Sequence, residues 1–383
     1  MNEDVLVIGA GPAGLACAYE LERAGISYRV IDRAQVIGST WASLYPSLRL
    51  NTTRFFSHFK AKKFPLRYGL FPSGKQYHQY LLDFAREYHF NIHLGVEVYR
   101  VAPEGEGWRV ESSEGTAWYP CVISATGRFG NPIWPDIPGL REFPGTAIHA
   151  HDYHGPEPFA GQRVMVIGNG PSGVDITVDL TQVTSPVLIS IRSGIIMRPR
   201  YPYGLPKHVW MMIADILPEK WGQWLLHKVE SARYKDQERY GFKLPSDRQP
   251  GSAVPYRGRE LIDAAKAGKV KPVAAPLRFE GNVAHLADGE QYALDAVIAA
   301  TGYQPVLHTY LDIEYECDEE GWPLRDLEAH PNGREVKGYP GLYLVGVFYK
   351  GKGAMYNFNV EAAIAVEQIK ARLAQLKAQT PAT

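Results

Sequence analysis

Two short stretches decide what this chain can fold into. One is VLVIGAGPAG, residues 5–14, and the other is VMVIGNGPSG, residues 164–173. Each opens with four apolar residues, the mark of a strand buried on both faces of a parallel sheet. Each then passes through Gly-x-Gly-x-x-Gly into a stretch of helical period, so the spacing predicts strand, turn and helix in both places. In such a unit the first glycine permits a tight turn and the second lets a pyrophosphate approach the backbone. The third lets helix and strand close together. The helix N-terminus offers unused N–H groups and a partial positive charge to the phosphates. Gly9, Gly11, Pro12, Ala13 and Gly14 make the first cradle; Gly168, Gly170, Ser172 and Gly173 make the second.

The strands that follow end on opposite charges. Tyr28–Ile31 runs into Asp32 and Arg33, whereas Val187–Ile191 runs into Arg192 and Ser193. Both ends lie about twenty residues past the third glycine, where a dinucleotide places its ribose. A carboxylate there accepts from both ribose hydroxyls and repels a 2′-phosphate. A guanidinium pairs with that phosphate bidentately. The sequence thus predicts an unphosphorylated ribose at the first cradle and NADPH at the second.

Both halves also close alike, with CVISATG and AVIAATGY. These place Ala125, Thr126 and Gly127 in register with Ala300, Thr301, Gly302 and Tyr303, where small residues let the chain cross over a nucleotide. The repetition implies one dinucleotide-binding domain inserted into another. The expected fold is α/β, with two nested Rossmann-like, three-layer domains. The first domain is discontinuous, over 1–150 and 290–383, and the NADPH domain spans 155–289 with a helical insertion at about 200–250. A strand at Gly341–Val347 and a helix from about Asn359 complete the first domain. In the insertion, Trp210, Met211, Ile213, Ile216, Trp221, Trp224 and Leu225 recur on helical spacing broken at Pro218, which reads as a helical pair packed on the core, with a substrate lid or membrane-surface patch as the alternative if Trp and Met are exposed.

At 383 residues the chain exceeds one ordinary core. Lys+Arg and Asp+Glu both number 41, which argues against a nucleic-acid partner. Cys17, Cys121 and Cys317 are far apart, as expected for reduced thiols in a cytoplasm. No apolar run reaches the length of a membrane span, and MNED carries no signal-peptide pattern. The expected partners are a small-molecule substrate and O2, in a cytoplasmic chain compatible with a homodimer.

Between the halves lies FPGTAIHAHDY, residues 143–153. With His154 it offers His149, His151, Asp152 and His154 in a spacing that can hold a metal ion. That reading leaves Phe143, Gly145 and Tyr153 unexplained. The pattern Phe143-x-Gly145-xxx-His149-xxx-Tyr153 resembles the identifying motif of the class B flavin-dependent monooxygenases, the flavin-containing monooxygenases. Pro132, Pro135, Ile137-Pro138-Gly139, Gly38-Ser39-Thr40-Trp41 and Ala300–Tyr303 are similar to that family as well. Arg239-Tyr240-Gly241-Phe242 and Pro245 resemble its compact, plant-type YUCCA-like branch. The likeness covers nearly the whole chain.

The resemblance implies FAD and NADPH as cofactors, no metal, and formation of a C4a-(hydro)peroxyflavin that passes one oxygen atom to a small organic substrate. That substrate is a soft nitrogen or sulfur nucleophile, or a carbonyl compound or 2-oxo acid. The motif becomes a structural joint with His149 as a hydrogen-bonding hinge. Asn51, in a Tyr45-x-x-Leu48-x-x-Asn51 pattern, takes the place of the family's asparagine beside the flavin, as the catalytic residue. Arg33, Thr40, Trp41 and Val98 join the FAD contacts, and backbone N–H groups near Asn357 and Phe358, in the loop GVFYKGKGAMYNFN, face the flavin pyrimidine. Three rivals share the scaffold. A Baeyer–Villiger enzyme usually ends the motif in Trp, where this chain has Tyr153-His154. An NADPH oxidase or flavoprotein reductase uses the same scaffold, and a disulfide reductase among the latter needs two cysteines near the flavin. A flavin-binding sensor needs no turnover.

Overall fold

The computed structural model describes residues 3–245, 256–328, 330–348 and 352–379. Eleven strands make two sheets. In chain order they are β1 (Val5–Ile8), β2 (Tyr28–Asp32), β3 (Ile92–Leu94), β4 (Cys121–Ser124), β5 (Thr146–His149), β6 (Val164–Ile167), β7 (Val187–Ser190), β8 (Val270–Val273), β9 (Ala296–Ala299), β10 (Glu335–Val336) and β11 (Tyr339–Leu344). The first sheet runs β10-β11-β4-β1-β2-β3 and is parallel except at the β10–β11 edge. The second runs β8-β7-β6-β9-β5 and is parallel throughout. The two nested Rossmann-like halves read from the sequence are these.

The chain divides into two compact units. One holds Met1–Ser43, Thr52–Asn131 and Tyr303–Thr383; the other holds Leu44–Asn51 and Pro132–Gly302. The domain limits expected near 150 and 290 therefore fall inside the second unit. The reason is strand pairing: β5 lies beside β9 with Thr146 opposite Ala296 and His149 opposite Ala299, so both belong to the second sheet. The strap Leu44–Asn51, expected with the first half, also belongs to the second unit.

In the first unit, helices α1 (Pro12–Ala24), α2 (Ser39–Ala42) and α3 (Gly74–Tyr88) precede an antiparallel ribbon of Val98–Glu104, Gly107–Ser112 and Gly115–Tyr119. Strand alternation sorts the faces. Leu6, Ile8, Ile31, Val122, Leu342 and Leu344 point to Trp108 and Val110 of the ribbon. Val7 points the other way, toward the third glycine of the first cradle. The second unit repeats the scheme around helix α4 (Pro171–Leu180). Val164, Val166 and Ile298 pack with Ile176 and Leu180 on one face. Met165, Ile167 and Val297 pack with Phe143, Phe279 and Leu286 on the other.

The insertion is a helical pair, α5 (Lys207–Ile216) and α6 (Glu219–Ser231), broken at Leu217-Pro218 as expected. Its burial corrects the sequence reading. Met211, Ala214, Gly222 and Val229 face inward, but Ile216 is 85% exposed, Trp221 62% and Trp224 54%. Periodicity located the helices; it misassigned the stripe that faces the core. Helix α7 (Glu260–Lys266) follows, and α8 (Ala354–Gln379) ends the described chain, starting five residues before the expected Asn359.

Candidate dinucleotide sites

At the first cradle Gly9 has φ +111°, and a Cβ there would lie 2.6 Å from the Ala125 oxygen. A Cβ on Gly14 would lie 1.8 Å from the Gly9 oxygen. Gly11 meets nothing within 4 Å, so its open side is the one a ligand can use. At the second cradle Gly168 has φ +112° and its Cβ would lie 2.3 Å from the Ala300 oxygen. A Cβ on Gly173 would lie 2.2 Å from the Gly168 oxygen, and Gly170 is again open. The ATG repeats are thereby explained: Ala125 and Ala300 pass directly over the first glycine of each turn, held by Ala125 N–H to the Ile8 oxygen and Ala300 N–H to the Ile167 oxygen. Thr126 and Gly127, and Thr301 and Gly302, continue those exits. Thr301 Oγ1 donates to the Ile133 oxygen. Tyr303 opens the chain's return to the first unit, its ring 5.3 Å from Phe129.

Both helices start the same way. Gly11 caps α1 with Pro12 next, Gly170 caps α4 with Pro171 next, and neither has a side-chain cap. Proline spends no N–H in the first turn, and the remaining N–H groups around Ala13–Gly14 and Ser172–Gly173 are left to an anion. These cradles fit two pyrophosphates.

The strand ends differ as the sequence predicts. Asp32 closes β2 and accepts from Ala10 N–H at 2.7 Å and Ala34 N–H at 2.9 Å, so it stiffens the first turn while keeping lone pairs for hydroxyls. Arg33 beside it is exposed. Arg192 stands exposed past β7, with half-buried Ser193, and among the described residues no carboxylate is paired with it. Thr40 and Trp41 lie in α2, which Gly38 N–H ties to the Ala10 oxygen of the first turn; the Trp41 ring is 4.4 Å from Tyr77. Val98 starts the ribbon, half-buried against the core. Asn51 is the exposed last residue of the strap.

Asn357 and Phe358 are not in a loop. They form the first turns of α8, and Asn357 N–H donates to the Gly353 oxygen, so that N–H is engaged within the helix. The stretch Tyr349–Gly351 of the expected loop lies outside the described residues. What does reach the first cradle is Gly346: a Cβ on it would lie 2.6 Å from that of Ala13. Gly346 N–H donates at 2.7 Å to Glu361 of α8, which is 0% exposed. Burial pushes the Glu361 carboxyl up to about 7, opposed by bonds from Gly346, Val347 and Phe348 and by the Arg334 guanidinium 3.9 Å away. No sequence pattern marked Glu361; a lone acid in an otherwise apolar stripe of α8 was the available signal.

The stretch from Phe143 to Tyr153 is a joint built within the second unit. Phe143 stands edge-on to Phe279, and Gly145 is pressed so close to Asp295 that a Cβ would lie 2.2 Å from its oxygen. His149 ends β5, 3% exposed, and its Nδ1 accepts from His151 N–H at 3.0 Å. That bond uses the lone pair a metal would need, and burial holds the imidazole below its ordinary range. Among the described residues no three His, Cys, Asp or Glu side chains converge on a metal position. Tyr153 donates to Asp179 Oδ2 at 2.9 Å.

The cysteines do not form a redox pair. Cys17 and Cys121 are buried, and burial pushes the Cys121 thiol up to about 12; Cys317 is exposed. The two buried thiols are therefore inert at neutral pH. Among the described residues no helix is long and apolar enough to cross a membrane.

The sequence profile of the pyridine nucleotide-disulphide oxidoreductase family matches residues 6–210. The chain is 31% identical over 368 residues to "Probable indole-3-pyruvate monooxygenase YUCCA8" of Arabidopsis thaliana, covering 90% of this chain and 84% of that one. Its fold matches a flavin-containing monooxygenase from Stenotrophomonas maltophilia with TM-score 0.75 and 26% identity, over 97% of this chain and 99% of that one. Bacillithiol disulfide reductase from Staphylococcus aureus shares the fold, with TM-score 0.71 at 17% identity over 97% and 98% of the two chains. Within the broader reductase family, then, this chain belongs to the class B flavin-dependent monooxygenases of the YUCCA-like kind, oxidoreductases that use FAD and NADPH.

Proposed function

We propose that the first unit holds FAD, the second holds NADPH, and the pair inserts one atom of O2 into a small organic substrate. The observation that carries this reading is the paired cradle: equal steric punctuation at Gly9–Gly14 and Gly168–Gly173, with Asp32 at one strand end and Arg192 at the other. Bound there, the two cofactors supply hydride transfer and dioxygen activation, chemistry no side chain provides. The protein's own residues bind, orient and shield. Gly11, Ala13 and Gly14 hold the flavin pyrophosphate by backbone N–H, and Asp32 takes its ribose. Gly170, Ser172 and Gly173 hold the second pyrophosphate, and Arg192 with Ser193 takes the 2′-phosphate. Asn51 donates an amide hydrogen bond at the oxygen step without supplying an acid that would speed loss of H2O2.

The electron balance is two from NADPH and two from the substrate, reducing O2 to one inserted oxygen and one water. The relatives are named for indole-3-pyruvate, a 2-oxo acid. For that class the product is the acid one carbon shorter plus CO2, and this arm is favoured over N- or S-oxygenation. Tyr153-His154 in place of a terminal Trp disfavours the Baeyer–Villiger alternative. The test is a panel of 2-oxo acids, thioethers, amines and ketones, reading NADPH consumption, H2O2 and product mass together. Product that carries one oxygen from labelled O2, with little H2O2, is expected. NADPH consumption ending wholly in H2O2 across the panel sinks the monooxygenase assignment in favour of an oxidase.

A further inference from the structure

The strap Leu44–Asn51 begins with a side chain buried deep in the second unit. Tyr45 is 4% exposed, and with Leu48 it packs among Tyr153, Val166, Ile176 and Leu180. Its ring stands edge-on to Tyr153, centroids 5.6 Å apart. The Tyr45 hydroxyl donates to the carboxylate of Asp175. Tyr153 donates to Asp179 Oδ2, whose other oxygen accepts from Gln182 at 2.8 Å. Asp175 and Asp179 are one turn apart on α4 and so share a face. Helix α4 thus grips two tyrosines, one from the strap and one from the joint.

The same helix begins at the second cradle. Gly170–Gly173 form its first turn, and Thr177 Oγ1 donates back to the Gly173 oxygen at 2.7 Å. Asp175 is therefore two residues from the cradle's last glycine. At the strap's other end, Leu48 N–H closes a turn onto the Tyr45 oxygen, Leu50 is buried, and only then does Asn51 emerge. Phenylalanine would fill the Tyr45 site as well, and a hydroxyl in an apolar cluster costs free energy unless partnered. The partner is itself an acid in a crowded setting, with Arg200, Glu260, Tyr256 and Asp179 around it. Such a bond does little for net stability. What it secures is register, since apolar packing alone lets a strap slide along a helix.

We propose that Tyr45 is a positioning residue that ties the Asn51 strap to helix α4, so that filling the second cradle with NADP+ is felt at Asn51. An anion on the α4 N-terminus quiets that helix, and whatever is hydrogen-bonded to the helix loses motion with it. The inference rests on the nucleotide reading of the second cradle and on no assumption about the oxygen step.

Hydrogen exchange of the whole protein, with and without NADP+, tests it peptide by peptide. In wild type NADP+ slows exchange in residues 168–173 and also in 44–51, by about fivefold or more, the lower range of ordinary coupling between sites. Tyr45→Phe keeps the response at 168–173 and loses it at 44–51. Asp175→Asn keeps an oxygen acceptor and retains both responses, whereas Asp175→Ala behaves like Tyr45→Phe. A merely space-filling Tyr45 would leave the NADP+ response of the strap intact in Tyr45→Phe, and that result overturns the proposal. So does a wild-type strap indifferent to NADP+ while 168–173 responds. Absence of any response at 168–173 would overturn the nucleotide assignment itself and the tether with it.

Discussion

The two cradles are the same object made twice and then set apart by one charge. In each, the first glycine is pinned under the carbonyl of a returning alanine and the third is pressed against the first; the second faces open space. Those contacts are steric and admit no substitute. The strand ends obey no such constraint, and there the copies diverge into Asp32 and Arg192. What the two copies share is a turn whose open side leaves the backbone free for a ligand. What separates them is the charge at the strand end, which on the proposed reading selects the ribose.

The largest effect comes from breaking the shared part. Gly14→Ala and Gly173→Ala each place a methyl inside bonding range of a carbonyl, a clash only backbone displacement relieves. Gly14→Ala is expected to yield colourless protein that FAD does not reconstitute. Gly173→Ala is expected to stay yellow and lose NADPH turnover by about a hundredfold or more, an effect of roughly 3 kcal/mol. Cofactor content and steady-state kinetics decide it; loss of FAD from Gly173→Ala would show that the cradles are not separable.

Next is the part that differs. Arg192→Ala removes a charge-assisted pair worth roughly 1.5–3 kcal/mol and should lower the NADPH-over-NADH ratio of kcat/KM about tenfold or more. Asp32→Ala should weaken FAD and leave that ratio alone. Equal ratios in Arg192→Ala and wild type return the arginine to the surface. Asn51→Ala belongs to neither cradle. It should reduce its flavin with NADPH within about twofold of the wild-type rate while most of the reducing power appears as H2O2 rather than product.

The smallest effect concerns the acids behind each cradle. Burial raises Glu361 from 4.5 to about 7 and Asp175 from 3.8 to about 6. A raised carboxyl binds more protons folded than unfolded, so each contributes stability at low pH that fades as pH rises through its window. For Glu361 the window runs from about 4.5 to about 7 and spans at most roughly 3 kcal/mol. Denaturant midpoints at pH 5 and pH 8 should therefore show wild type losing ground to Glu361→Gln as pH rises. A difference that stays flat would mean that the carboxyl is not raised.

Much of this was legible in the chain. The cradles, their nesting and the charges at the strand ends come from local rules in which glycine, proline and apolar runs have few alternative uses. The joint was recognisable by pattern, and the structure supplies its reasons: Phe143 for packing, Gly145 for close approach, His149 and Tyr153 for hydrogen bonds. Long-range pairing was less legible. Nothing local tells that Thr146–His149 pairs with Ala296–Ala299, so the domain limits fell some twenty residues off on the N-terminal side and some twelve on the other. The helical pair showed its period, but Trp221 and Trp224 face outward because period reports that a stripe exists and not what covers it. Tyr45, Asp175 and Glu361 escaped because a single polar residue acquires meaning only from a partner far away in sequence.

The strap has one more consequence, for any attempt to take the molecule apart. Residues 132–302 look excisable, because Ile133 N–H is bonded to the Gly302 oxygen at 3.0 Å and the cut ends meet. Yet that piece would be missing a part delivered from eighty residues upstream, and a vacancy shaped like Tyr45 and Leu48 would open beside α4. A severed second unit is thus an incomplete lock, and the octapeptide Leu44–Asn51, added back in trans, is its key blank.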